Sequence, residues 1–102
     1  MHLVQILLPL FDNEGDALPA EHFDTVSRDL TERFGGVTAY TRSPAEGRWK
    51  DHSEATNSDE IIVVEVMVES LNEAWWQDFR RSLETKFRRK HIIVRAQNMQ
   101  VL

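Results

Sequence analysis

Residues 60–69 read Glu-Ile-Ile-Val-Val-Glu-Val-Met-Val-Glu, and from Ile61 to Val68 seven of the eight side chains are apolar. Alternation along an extended chain places Ile62, Val64, Val66 and Val68 on one face and Ile61, Val63, Glu65 and Met67 on the other. The unbroken apolar run, Ile61 to Val64, is far shorter than the ~20 residues a membrane-spanning helix needs. A strand this apolar on both faces belongs inside a sheet, with a neighbour on each side. One carboxylate among such neighbours has reason to be paired.

Toward the C-terminus, Ser70 and Glu73 have the spacing of a capping box, which starts a helix running to about Lys90. At about 100° per residue its apolar side chains Leu71, Trp75, Trp76, Phe79, Leu83 and Phe87 share one sector, so the two tryptophans read as core anchors. His91 to Gln97 is a last strand, with Val101-Leu102 able to extend it. Toward the N-terminus, residues 51–59 are a polar loop, and Ser43-Pro44-Ala45-Glu46-Gly47 interrupts a second strand, Val37 to Arg42. Arg48-Trp49-Lys50 is expected to resume that strand after a bulge or bend.

Gly35-Gly36 stops a first helix, which begins near Pro19 and carries Phe23, Val26, Leu30 and Phe34 as a narrow apolar stripe. Before it, Asp12-Asn13-Glu14-Gly15-Asp16 is a turn-rich acidic loop. Residues 1–11 hold an apolar stretch with neither a basic leader nor a small-residue cleavage site, so His2 to Leu8 is read as a first strand. The order is therefore βαββαβ over a single domain, residues 1–102. Such an order predicts an α+β, ferredoxin-like sandwich: an antiparallel-dominated four-stranded sheet, strand order 4-1-3-2, with both helices on one face.

Composition narrows the function classes. Apolar residues make up 41% and charged residues 28%, values of a globular chain rather than a disordered one. The absence of cysteine excludes disulfides and thiolate metal sites and points to a reducing, cytoplasmic setting. Residues 1–79 hold five basic and sixteen acidic residues, whereas residues 80–102 hold seven basic and one acidic. The basic cluster of Arg80, Arg81, Lys86, Arg88, Arg89, Lys90 and Arg95 is better explained by the negative end of the second helix than by nucleic acid. Glu84 is also spaced to pair with Arg88. RNA recognition on such a sheet needs aromatic residues on the first and third strands, and neither has one. No phosphate loop, nucleophile elbow or metal-ligand spacing occurs, so no cofactor or metal is implied. His52 with the acidic residues around it matches no ligand pattern and reads as solvated loop.

Two helices cover one face of a four-stranded sheet. Leu3, Leu7, Ile61, Val63 and Met67 would then form an apolar patch on the other, of the kind that marks an interface. A homodimer joined through this face is expected, in preference to cover of the patch by the 43–60 segment or the C-terminal tail. Among these apolar residues sit Gln5, Glu65 and Arg95, which the strand order lines up across the sheet, and Tyr40 on the second strand. Glu65 is expected to contact Arg95, Arg42 or Tyr40, directly or across a dimer axis, at about 3 Å. Together with Trp49, which has no periodic reason to lie in the polar stretch 47–50, these residues are the candidate pocket for a small-molecule ligand.

Phe34-Gly35-Gly36-Val37-Thr38, Gly47-Arg48-Trp49 and Asp59-Glu60 ahead of an apolar strand resemble small uncharacterised bacterial ferredoxin-like, dimeric α+β barrel domains. The resemblance spans about residues 30–95. It implies a shared structural role for Gly36, Gly47, Trp49 and Glu60, and it carries no activity. Two functions are therefore expected in order: a homodimeric binding module, and a cofactor-independent enzyme of monooxygenase or isomerase type with a cavity on the open face.

Overall fold

The computed structural model describes residues 1–42 and 61–102, with residues 39–42 as main chain only. The elements are β1 (His2–Pro9), α1 (Ala20–Phe34), β2 (Thr38–Arg42), β3 (Ile61–Val68), α2 (Glu73–Lys86) and β4 (Ile93–Asn98). They build an α+β structure in which the sheet order is β2-β3-β1-β4 and every neighbouring pair is antiparallel. The expected resumption of a strand at Arg48 and the roles of Gly47, Trp49 and Glu60 lie outside the described residues.

The register shows why both inner strands are apolar. Val4 lies opposite Val66, Ile6 opposite Val64 and Leu8 opposite Ile62. These residues form the face on which the helices pack. Val4, Ile6, Leu8, Val64, Val66 and Val68 join Val26 and Leu30 of α1 and Trp76 and Leu83 of α2 in one buried cluster. Phe23, Phe34, Ile62, Trp75 and Phe79 pack around it, half-buried. The two tryptophans thus serve as anchors, Trp76 inside and Trp75 at the rim. Trp75 stacks on Phe79 at 5.0 Å and lies beneath the Arg33 guanidinium at 4.2 Å.

Helix boundaries follow local chemistry more closely than the sequence pattern does. Gly35 takes a left-handed conformation with φ 86°, which a residue bearing a Cβ rarely adopts, and its N–H donates to the Thr31 carbonyl to close α1. The N-cap of α2 is Asn72, not Ser70: its side chain accepts from the Trp75 N–H at 3.1 Å. The helix ends at Lys86 rather than Lys90. Arg88 turns into the left-handed region at φ 50°, so it leaves the helix surface on which Glu84 would have met it. Glu84 pairs instead with Arg80 at 3.3 Å and accepts from the Ile92 N–H at 3.0 Å. The last strand accordingly starts at Ile93, two residues later than expected, and Val101-Leu102 do not extend it.

Arg88 reaches the acidic loop after β1. Its Nη2 lies 2.7 Å from Asp12 Oδ2, while Asp12 Oδ1 accepts from the Glu14 and Asp16 N–H groups at 2.9 and 3.0 Å. Asp12 is almost fully enclosed. The hydrogen bond from the Asp16 N–H is the main cause that holds its carboxyl below the ordinary 3.8; burial opposes this, while the Glu14 N–H and the Arg88 charge reinforce it. The clamp is extended by Asn13 N–H donating to the Arg88 carbonyl at 3.1 Å. It ties the β1–α1 loop to the end of α2.

Candidate functional site

The face away from the helices carries the alternate residues of the same strands. Leu3 lies opposite Met67, Gln5 opposite Glu65 and Leu7 opposite Val63 along β3. Along β4, Leu3 meets Gln97, Gln5 meets Arg95 and Leu7 meets Ile93. The β2 main chain adds Thr38 beside Glu65 and Tyr40 beside Val63.

Gln5, Glu65 and Arg95 are brought together as one row. Gln5 Nε2 donates to Glu65 Oε2 at 2.7 Å, and Arg95 Nε donates to Gln5 Oε1 at 2.8 Å. The amide is the link: its nitrogen serves the carboxylate and its oxygen serves the guanidinium. Within the chain Glu65 thus reaches Arg95 through Gln5 rather than directly; the side chains of Tyr40 and Arg42 lie outside what the structure describes. The register explains it. A strand lies between β3 and β4, and Gln5 occupies the middle of the row. Glu65 and Gln5 are half-buried, and Arg95 is exposed.

The apolar residues divide. Met67 is 54% exposed, and Ile93, which sequence reasoning missed, is 48% exposed. Ile93 was legible from the alternation that placed Arg95 on this face, because the two are separated by one residue. Leu3, Leu7 and Ile61 are half-buried. Val63 is buried, on an inner strand with Leu7 as its cross-strand neighbour, so it offers no surface of its own. Of the candidate pocket residues, Trp49 lies outside the described residues and Tyr40 is placed by its main chain alone, one row from Glu65.

No family model, curated protein or solved structure matches the chain.

Beside Glu65 the sheet face opens into a depression of about 590 Å³, lined by Leu3, Met67, Thr38, Met99 and the turn from Phe34 to Val37 as well as by the carboxylate itself. A carboxylate on an apolar wall can accept a hydrogen bond or a proton from a bound molecule. Among the described residues no three His, Asp or Glu side chains are grouped to hold a metal ion, and no helix is long and apolar enough to cross a membrane.

Proposed function

We propose that the chain is a ferredoxin-like domain that works as a homodimeric binding module, associating through the open face of its sheet. The observation that carries this reading is the exposure of Met67 and Ile93 on a face also lined by Leu3, Leu7 and Ile61. Apolar side chains exposed on a sheet face are relieved when a partner removes them from water. The resemblance to dimeric α+β barrel domains points the same way. Sedimentation equilibrium at micromolar concentration is the test. The wild-type chain should sediment at twice its chain mass, and Met67→Lys and Ile93→Lys should sediment as monomers. A wild-type chain that stays monomeric, or lysine variants that stay dimeric, would overturn the reading.

A second reading is favoured by the depression beside Glu65: the same face holds a small ligand, on which Glu65 acts as acceptor or base in the manner of a cofactor-independent enzyme. Glu65→Gln keeps the shape and removes the charge. Under this reading it should lose the binding of a small-molecule hit from a thermal-shift screen, measured at a chain concentration where sedimentation shows the variant dimeric. A hit that binds Glu65→Gln as well as wild type would overturn the second reading and leave the first.

A further inference from the structure

Glu65 and Arg95 occupy two ends of a row centred on Gln5. Adjacent strands are ~4.8 Å apart, so the opposite charges stand about 10 Å apart across the sheet. Neither forms an ion pair with a side chain that the structure describes. The carboxylate accepts from a neutral amide, and the guanidinium donates to a neutral carbonyl through Nε alone, leaving its Nη1 and Nη2 groups unengaged among the described residues. A row that is negative at one end, neutral at its centre and positive at the other is complementary to itself once it is reversed.

Resting on the homodimeric reading, we infer that the second copy docks with its two-fold axis between the sheets and parallel to β1, so that Glu65 of each protomer pairs with Arg95 of the other. The limiting orientations of a face-to-face two-fold axis run along the strands and across them. Run across them, it sets Glu65 over Glu65 and Arg95 over Arg95, a juxtaposition of like charges on a surface being desolvated. Run along β1, it exchanges the β3 and β4 sides and forms the Glu65–Arg95 pair twice, as an isologous interface requires. The same axis sets Leu7 over Leu7, Leu3 over Leu3 and Ile93 over the register position of Val63. Leucine contacts then flank the charged row on both sides, and Met67 lies over the register position of Gln97. Gln5 is a positioning residue here: by holding the carboxylate and the guanidinium from the two ends of its amide, it presents both in fixed orientation before the partner arrives.

The test is sedimentation equilibrium on the full chain, with circular dichroism confirming that each variant is folded. Glu65→Arg places cation over cation, Arg95→Glu places anion over anion, and the two together restore opposite pairs. Each single reversal should raise the dimer dissociation constant about tenfold or more, and the doubly reversed chain should return close to wild type. Where a reversal fails to fold, Glu65→Gln and Arg95→Gln replace it, each expected to weaken the dimer about threefold or more. Single reversals that leave a dimer which Met67→Lys still splits would overturn the pairing and leave the homodimer standing. A double reversal no better than its parents would also overturn the pairing. A wild-type chain that is monomeric would remove the homodimer itself, and this pairing with it.

Discussion

Leu7 and Leu8 are neighbours on β1 with identical side chains, yet Leu8 is fully enclosed and Leu7 only half-buried. The difference is the two faces of one sheet. On the helix side, Leu8 belongs to the cluster that α1 and α2 close. On the open side, Leu7 has Val63 and Ile93 beside it in the sheet and, among the described residues, no helix above. The composition of β1 and β3 hardly distinguishes the faces; what separates them is which one received the helices. The second face is built of core-like residues that no described element covers, interrupted by one polar row.

The largest effect should come from testing that pair directly. Leu8→Ala is expected to lower stability by about 3–4 kcal/mol, a lost transfer term plus a cavity that packed helices cannot fill. Leu7→Ala should cost about 1–2 kcal/mol, because its site is partly solvated and can collapse. Guanidinium midpoints of the two variants check this, and equal losses in a monomeric chain would break the comparison.

Asp12 sharpens the helix side at its edge. Its carboxyl is held below 3.8 when folded, so its contribution is complete above the unfolded value and disappears as pH falls from there through the lowered folded value. Asp12→Asn should be less stable than wild type at pH 7, and the two should converge in acid. Urea midpoints at pH 7 and pH 3 measure this, and a constant difference between the two pH values would exclude the charge as its cause.

On the open side, Gln5→Ala removes a link holding both ends of the row and should cost about 1 kcal/mol. Glu65→Ala should cost about the same rather than the roughly 3 kcal/mol of a broken buried pair, since the exposed Arg95 keeps its water. Thermal melts distinguish these magnitudes. The smallest effect belongs to Met67→Lys, expected to change monomer stability by less than about 0.5 kcal/mol while altering the mass in sedimentation.

Much of this architecture is legible in the chain. The alternation from Ile61 to Val68, the stripe Phe23-Val26-Leu30-Phe34 and the stop at Gly35 decide the elements, because burial and backbone sterics act on them locally. The row Gln5–Glu65–Arg95 is legible too, since it follows from strand order and alternation alone. Its wiring is not: that Gln5 bridges the two charges depends on which side chain occupies the middle strand at the right register. The exit from α2 was likewise hidden. Arg88 is drawn off the helix by Asp12, seventy-six positions earlier, and no local pattern reports a contact that distant.

The hydrogen bonds of Gln5 span 60 and 90 positions of the chain, and β1 pairs only with β3 and β4. The first strand is thus an inner strand whose partners are the third and the last. Closing such distant pairings requires chain entropy to be spent before ladder bonds offset it, which makes high contact order slow. Until β3 is available, Leu3, Val4, Ile6, Leu7 and Leu8 have no strand to lie against and are open to capture by other apolar surfaces. Refolding should accordingly take milliseconds or longer, against the microseconds reached by helical bundles of this size, and a nascent chain should be most vulnerable before its second half emerges.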